Sequence, residues 1–260
     1  MSIFLKTEDE INLMRKANQL VGLALSEVGK HIKPGITTLQ LDKIAEEFIF
    51  DNGAEPTFKN FPNPFGGSFP ASICTSINNV VVHGIPSDKD VLVDGDIVSV
   101  DCGVLLNGFN GDSCYTFGVG DVALEAEKLM SLTKHCLYDA ISQAVVGNRL
   151  GDVSAAIQCR AESNGYGVVR GLGGHGIGRE MHENPFIPNY GKHGRGIELM
   201  DGMCLAIEPM ITIGKPDVGL LPDKWGIVTW DGKLAAHYEH TIVVRRGKAE
   251  ILSTFENIEN

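Results

Sequence analysis

The chain has 260 residues, of which 43% are hydrophobic, so it carries enough apolar material for a sizeable buried core. This balance excludes a disordered chain and a small domain held together by disulfides. The 33 acidic residues outnumber the 22 basic ones, and the net charge of −11 argues against a nucleic-acid-binding surface. We therefore expect a globular protein with no nucleic-acid specificity.

No part of the sequence has the pattern of a membrane or targeting segment. A membrane helix needs an apolar run of about 18 residues, and none is present. Residues 1–14 lack the basic start and apolar centre of a signal peptide. The six cysteines are scattered without a Cys-Xaa-Xaa-Cys pair, which is typical of reduced structural thiols. The sequence thus predicts a cytoplasmic protein with no membrane partner and no zinc ribbon.

Helices and strands are predicted to alternate in groups along the chain. Thr7, followed three residues later by Glu10, forms a capping box that opens the first helix, and Pro34 and Gly35 are expected to end it. The further predicted elements are a helix over about 38–53, a loop over 55–70, strands over 72–83, 96–105 and 109–117, a long helix after residue 121, a helix between 152 and 165, and strands around 203–213 and 236–246.

Two spacings recur in the same order and indicate an internal repeat. Glycines bracket a predicted helix over 35–53 and again over 147–165. An Asp-Gly pair also precedes a strand carboxylate at the same distance before Asp101 and before Glu208. One such coincidence arises easily by chance, but two in the same order favour duplication. We therefore predict two pseudo-symmetric halves.

The two halves are expected to share one sheet and one core. No linker rich in proline, serine and glycine separates them, and such linkers are typical of domain boundaries. We place the first half at roughly 7–120 and the second at 121–250. The prediction is a single catalytic domain over residues 1–260.

An Asn-Gly pair at 107–108 predicts a tight hairpin between two apolar strands. A two-residue turn there pairs Asp101 with Cys114 and Asp112 with Gly103, so both aspartates point to the same face as diagonal neighbours. Two carboxylates so placed repel each other unless a cation or a proton lies between them. A solvent-exposed face is the alternative, and the surrounding valines and isoleucine disfavour it.

A second pair of acids lies in the predicted C-terminal strands. Glu208 follows the apolar run 204–207 and precedes a proline, whereas Glu239 precedes the apolar run 241–244. Each glutamate alone is compatible with an ordinary buried acid that has hydrogen-bond partners. Four carboxylates in a repeated arrangement instead favour a site for hard divalent cations.

Several histidines lie next to these acids or in unusual backbone contexts. His175 stands at the centre of a glycine-rich segment, His182 follows seven residues later, and His83 ends an apolar triplet just before a turn. His237 and His240 flank the last acid, and we interpret them as strand neighbours rather than ligands.

Seven short segments together resemble the type I methionine aminopeptidases: SINNVVVHGIP, VDCG, FNGDS, GGHGIG, MHENP, AIEPM and YEHT. The resemblance extends from residue 7 to about residue 250. It implies the α+β "pita-bread" fold, in which two pseudo-symmetric halves pack their helices outside a curved, mainly antiparallel sheet. The short interval between His182 and Glu208 favours type I over type II, and no N-terminal zinc-binding extension is expected.

The resemblance also implies a metal centre and its reaction. By this resemblance, two divalent ions are bound by five ligands, namely Asp101, Asp112, His175, Glu208 and Glu239. Asp112 and Glu239 would bridge the ions. The sequence does not identify the native metal, since oxygen and nitrogen donors without thiolate are compatible with Co, Mn, Fe or Zn. The catalytic residues are then His83, His182 and Glu208, with both histidines contacting substrate and Glu208 also moving a proton.

A methionine pocket is implied by the same resemblance. Phe69, Cys74, Met181 and Trp225 match the family's pocket positions, although each residue alone is typical of ordinary core packing. Met181 stands where phenylalanine is frequent, which keeps the wall apolar but softer. The segment 61–69 also differs from the commoner version, which contains tyrosine.

The implied function is removal of the initiator methionine from nascent proteins whose second residue is small. The expected partners are N-termini of nascent polypeptides near the ribosome, and the expected state is a monomer. Because residue 2 is Ser, we also predict that Met1 is removed in trans. The alternatives are a prolidase or proline-specific aminopeptidase, which usually carries an extra N-terminal domain, and a non-catalytic pita-bread binding module.

Overall fold

The computed structural model of the protein describes residues 2–63 and 66–259. Met1, whose removal is predicted above, and residues 64 and 65 of the segment 61–69 lie outside the described residues. The helices are α1 (Glu8–Gly29), α2 (Thr38–Asp51), α3 (Leu124–Gln143), α4 (Leu150–Ser163) and α5 (Glu256–Glu259). No helix in the described ranges is long and apolar enough to cross a membrane.

Short strands make up most of the remaining regular structure. They are β1 (Glu55–Pro56), β2 (Ile73–Ile77), β3 (Val80–Val82), β4 (Ile97–Leu106), β5 (Phe109–Gly118), β6 (Gly167–Val168), β7 (Gly173–Gly176), β8 (Glu183–Pro188), β9 (Cys204–Ile207), β10 (Met210–Thr212), β11 (Val218–Leu220), β12 (Ile227–Thr229), β13 (Ala235–His237), β14 (Glu239–Val243) and β15 (Glu250–Ile251).

The main sheet is antiparallel and has the strand order β1-β4-β5-β14-β9-β7-β8, with β2 paired to β4 and β15 paired to β14. Two three-stranded sheets, β13-β10-β6 and β11-β12-β3, lie beside it. Strand β14 from the end of the chain is inserted between β5 and β9, so it joins the two halves. The predicted α+β architecture is confirmed.

The first helix begins as predicted and ends earlier. The N–H of Glu10 donates to the Thr7 hydroxyl at 3.3 Å, and the Glu10 carboxylate accepts from the Thr7 N–H at 3.0 Å, which completes the capping box. The helix ends at Gly29 rather than at residues 34–35. From His31 on, the local backbone hydrogen bonds span three residues instead of the four of an α-helix, as in the bond from the N–H of His31 to Val28 O. Gly29 packs there against Phe117.

Several predicted segments are divided in the structure. The predicted loop over 55–70 contains β1, and the predicted strand 72–83 divides into β2 and β3 at Asn78, which has a positive φ of 53°. The segment around 203–213 divides at Pro209, since proline has no N–H to donate to a strand partner. The structure adds β6, β7, β8, β11 and β12, none of which the sequence pattern predicted.

The repeat is visible in the backbone. Helices α2 and α4 each have 14 residues, and the N–H of Leu92 donates to Ile36 O just as the N–H of Leu199 donates to Asn148 O. One apolar core lies within residues 17–119, whereas a second takes nearly all its buried residues from 126–255. The helices of each half therefore cover that half's part of the sheet on its outer side.

Candidate metal centre and cavity

The β4–β5 hairpin has the predicted register. Asp101 pairs with Cys114 and Asp112 with Gly103, and the turn residues Asn107 and Gly108 have the positive φ values that a type I′ turn needs. Asp112 lies on the face shared by Asp101 and Cys114, because successive side chains of a strand alternate. Burial of this face excludes the solvent-exposed alternative.

The strand order brings the other three predicted ligands to the same face. Glu239 on β14 pairs with Cys114 on β5. On the other side of β14, His240 pairs with Ile207, the last residue of β9, so the next residues along the two strands, Glu239 and Glu208, face each other. His175 on β7 pairs with Ala206, two residues before Glu208. Five potential metal ligands thus lie in, or for Glu208 directly after, five neighbouring strands, in the order β4, β5, β14, β9 and β7.

Glycines allow His175 to reach this row. A Cβ atom on Gly174 would lie 2.2 Å from Ala206 O, and one on Gly176 would lie 2.2 Å from Asn184 O. Any side chain at these positions would push β7 away from β9 on one side and from β8 on the other. The glycine-rich segment is therefore a requirement of strand packing, and its effect is to set the imidazole among the carboxylates.

The geometry of the His175 ring suits a metal ligand. Its Nδ1 lies 2.9 Å from Gly176 O, and because a carbonyl oxygen only accepts, Nδ1 carries the proton. The free Nε2 lies 3.6 Å from Asp112 Oδ2 and 3.7 Å from Glu208 Oε1. Possible ligand atoms of Asp112, His175 and Glu239 all lie within 4.8 Å of one another.

Hydrogen bonds to the backbone groups of Asp112 and Glu239 fix the positions of these two acids. Asn18 on α1 accepts from the Asp112 N–H at 3.2 Å, and the Thr241 hydroxyl donates to Asp112 O at 2.9 Å. The Ser113 hydroxyl donates to Glu239 O at 2.5 Å. These bonds join α1, β5 and β14 around the site, so the carboxylates are preorganised by the fold.

Burial makes the site costly for negative charge. It raises the pKa of Asp101 to about 7, and together with repulsion from Asp101 and Glu208 it raises the pKa of Asp112 well above its usual value. The pKa values of Glu208 and Glu239 are also raised, first by burial and then by neighbouring carboxylates. Four such groups cannot all be ionised here without a compensating positive charge.

Divalent cations fit this donor set. Asp101 Oδ1, Asp112 Oδ1 and Glu239 Oε1 are buried and have no hydrogen-bond partner among the described residues. Buried polar atoms normally have a hydrogen-bond partner or a bound ion, so these three oxygens are available to coordinate a metal ion. Carboxylates with one neutral imidazole are the donors of catalytic metal centres with hard or borderline ions.

A cavity of about 510 Å³ opens directly onto the carboxylates. It is lined by every residue that the sequence assigned to the site, namely Phe69, Cys74, His83, Asp101, Asp112, His175, Met181, His182, Glu208, Trp225 and Glu239. The wall also includes Phe58, Phe61, Val82, Leu172 and Met210, which were not predicted. The acids therefore form one end of an otherwise largely apolar chamber.

Two further histidines line the cavity, one from each half of the chain. The rings of His182 and His175 are 4.4 Å apart edge to face, and the ring of Phe61 lies 5.2 Å from that of His182, also edge to face. His83 has a positive φ of 60°, and its ring lies 6.5 Å from that of Trp225. Burial lowers the pKa of His182 and lowers that of His83 to about 4, so both rings are neutral at neutral pH.

His237 is a site neighbour that the sequence interpretation did not include. Its Nε2 is buried without a hydrogen-bond partner in the described chain and lies 3.6 Å from Glu208 Oε2. The signal was available, because residues 237 and 239 share a face in an extended chain. His240 points elsewhere, stacking on Phe255 with the ring centres 3.9 Å apart.

The model of metallopeptidase family M24 matches residues 12–246. The chain belongs to this family. Within M24, the chain is 51% identical over 254 residues to a methionine aminopeptidase of Clostridium acetobutylicum, covering 98% of this chain and all of that relative. It is 47% identical to methionine aminopeptidase 1 of Bacillus subtilis, over 96% of this chain and 99% of the relative. The resemblance drawn from the seven segments is confirmed.

Solved structures of M24 proteins agree with this membership. The crystal structure of a methionine aminopeptidase from Thermotoga maritima superposes with a TM-score of 0.94 at 43% identity, covering 97% of this chain and all of that one. An X-Pro aminopeptidase from the same organism has a TM-score of 0.74 at 21% identity, and this chain covers 62% of it. The second likeness shows the shared fold alone.

Proposed function

We propose that this chain hydrolyses the first peptide bond of polypeptides that begin with methionine, through two divalent metal ions held at the carboxylate end of the cavity. The observation that carries the proposal is the convergence of five ligand side chains from five neighbouring strands beside an apolar chamber. The proposed ligands are Asp101, Asp112, His175, Glu208 and Glu239. Relatives that match nearly the whole chain are methionine aminopeptidases.

The charge of the ligand set supports two ions. Four carboxylates contribute −4 and His175 is neutral, because burial lowers its pKa to about 3. Two divalent cations contribute +4 and leave a nearly neutral site. When bound, such ions act as Lewis acids that polarise a carbonyl group and lower the pKa of water. The donors suit Co, Mn, Fe or Zn.

Glu208 is the residue we assign to proton transfer. Its carboxylate is less enclosed than that of Asp112, with 12% of the side chain exposed against 4%, and it lines the cavity. Its pKa is raised by burial and by Glu239, which favours uptake of a proton from the attacking water. The same carboxyl group then delivers that proton to the leaving amine.

The two neutral histidines are assigned to the substrate. A neutral His182 can donate a hydrogen bond to the scissile carbonyl oxygen, where negative charge develops during attack. His83 lines the same cavity and can position the scissile amide. Neutral rings also avoid repulsion with the metal ions and with the substrate's amino group, which the acidic end of the cavity attracts.

Four apolar side chains are assigned to the methionine side chain: Phe69, Cys74, Met181 and Trp225. The rings of Phe69 and Trp225 pack edge to face at 5.1 Å, and Phe69, Cys74 and Met181 are each at most 5% exposed. A slot built from aromatic and sulfur-containing side chains suits a flexible thioether. We expect the subsite next to this slot to accept a small second residue of the substrate.

The cellular setting is proposed on the same basis. We propose that residues 1–260 act as one catalytic domain, as a monomer in the cytoplasm, on nascent chains near the ribosome. The substrates include the protein's own N-terminus, where removal of Met1 would leave Ser2 first.

A peptide panel with the metal-loaded enzyme tests this function. We expect cleavage of Met-Ala-Ser, Met-Gly and Met-Ser peptides, poor cleavage of Met-Leu and Met-Lys peptides, and none of Ala-Ala peptides, all followed by mass spectrometry. Equal rates for Met-Ala and Met-Leu would contradict the proposed subsite. A preference for peptides with proline second would favour the prolidase alternative, and no turnover with any metal would favour a binding module.

A further inference from the structure

The segment 178–183 carries Met181 and His182, which line the cavity. The carboxylate of Glu183, its last residue, holds the segment in place. Glu183 Oε1 accepts hydrogen bonds from the N–H groups of Arg179 at 3.0 Å and Glu180 at 3.4 Å. The other oxygen of the same carboxylate, Oε2, lies 2.5 Å from Lys6 Nζ. The loop is therefore tied back on itself and also to the chain before α1.

The ion pair of Lys6 and Glu183 is enclosed, unlike most ion pairs of this protein. The two side chains are 5% and 8% exposed. A Cβ atom on Gly178 would lie 2.4 Å both from Glu183 Oε1 and from Lys6 Cε, so a larger residue there would displace the pair from its present position. The N–H of Lys6 donates to Gly202 O at 2.9 Å, which fixes the lysine next to the start of β9.

We propose that Lys6 and Glu183 are positioning residues, which hold the segment 178–183 so that His182 faces the substrate. The inference rests on the substrate role proposed for His182. A buried carboxylate without a cation is strongly unfavourable. When Lys6 is lost, the Glu183 carboxylate is therefore expected to move towards solvent. Because Glu183 is bonded to the loop and adjacent to His182, that movement displaces the catalytic ring.

The strand partners of His175 itself do not include Glu183. His175 pairs with Phe186 of β8 and with Ala206 of β9, and its Nδ1 is bound to Gly176 O, whereas Glu183 pairs with Gly176 beyond a register shift. Loss of Lys6 is therefore expected to leave metal content unchanged and to act on His182. A displacement of about 1 Å in a catalytic group can reduce turnover about 100-fold.

The test compares Lys6→Met, Glu183→Gln, the double variant and Lys6→Arg in the metal-loaded full-length enzyme. We expect Lys6→Met to lower kcat about 10- to 100-fold at 25 °C with little change in metal content. The double variant should recover most of this loss, because glutamine still accepts from the two backbone N–H groups and leaves no buried charge. Lys6→Arg should retain most activity. The control is Glu8→Gln, which removes an exposed partner of Arg245 and should change nothing.

Amide hydrogen exchange gives a readout that does not depend on catalysis. Lys6→Met should speed exchange in 178–183 and leave residues 173–175 of β7 and all of β9 unchanged, and the double variant should restore protection. If Lys6→Met lowers only the melting temperature, with native exchange and native kcat, the pair is merely structural and the inference is overturned. A double variant as impaired as Lys6→Met would also overturn it. Full activity of His182→Ala would instead refute the proposed role of His182, while the exchange data would still decide whether the pair holds the loop.

Discussion

The two halves of the molecule present their carboxylates on different kinds of strand. In the first half, Asp101 and Asp112 lie inside β4 and β5, two unbroken strands of ten residues. In the second half, β9 ends just before Glu208, and Pro209 interrupts the chain before β10 begins. All of these acids line the cavity, but the side chain beside the break is the more exposed, at 12% for Glu208 against 4% for Asp112. This difference explains why we assign metal holding to Asp112 and both metal holding and proton transfer to Glu208.

The largest expected effect sharpens this contrast between Asp112 and Glu208. Asp112→Asn and Glu208→Gln should each reduce kcat about 1,000-fold or more, because metal stabilisation of the transition state contributes several kcal/mol. Asp112→Asn should also lose more bound metal than Glu208→Gln, since its side chain is the more enclosed. Steady-state kinetics and elemental analysis of both purified variants measure this. Greater metal loss in Glu208→Gln would reverse the roles assigned to the two strands.

Removal of metal tests whether both halves depend on the same ions. A ligand present at 100 times its dissociation constant stabilises the folded state by about 2.7 kcal/mol. For a chain of this size, that corresponds to a melting temperature about 5–10 °C lower after chelation. Calorimetry with and without chelator gives the value. An unchanged melting temperature, with loss of metal verified, would show that the four carboxylates do not share a cation.

The pH dependence of the metal-free protein separates the acids from the histidines. Burial raises the pKa of Asp101 from 3.8 to about 7, so protonation favours the folded state, and this stability is lost as pH rises towards 7. His175 acts in the opposite direction: its pKa falls from 6.5 to about 3, so its contribution is present above pH 6.5 and is lost as pH falls. The two groups therefore limit stability at opposite ends of the range.

Replacement of Asp101 by asparagine isolates the acidic contribution. We expect metal-free Asp101→Asn to be more stable than the metal-free wild type at pH 8, and we expect the advantage to shrink at pH 5. Urea unfolding at both pH values provides the comparison. An advantage that stays constant with pH would mean that Asp101 does not carry the raised pKa.

The site could be predicted from sequence to different extents in the two halves. The hairpin register follows from local chemistry alone, because an Asn-Gly turn fixes which residues of β4 and β5 face each other. Nothing local indicates that β14 pairs with β5, since that pairing joins residues more than a hundred positions apart. The residue pattern grouped Glu239 with the other three acids as a cation site, whereas the inclusion of His175 among the ligands came from the family resemblance.

The apolar end of the cavity was the least predictable part. Strands β11 and β12 have three residues each and are mostly half-exposed, so they lack an apolar periodicity that would reveal them. Trp225 lies between them in the chain, and its backbone N–H donates a hydrogen bond to the Asp223 carboxylate at 2.8 Å. Only the resemblance identified its position. His237, by contrast, was readable from strand alternation with Glu239.

The central claim is that His175 belongs to the metal and His182 to the substrate, although their rings are only 4.4 Å apart. Elemental analysis of purified His175→Ala and His182→Ala, beside the wild type and His83→Ala, tests it most directly. We expect His175→Ala to be depleted of metal, and we expect His182→Ala and His83→Ala to keep wild-type metal content while losing turnover. If His182→Ala is as poor in metal as His175→Ala, the division between ligand and substrate histidines is wrong.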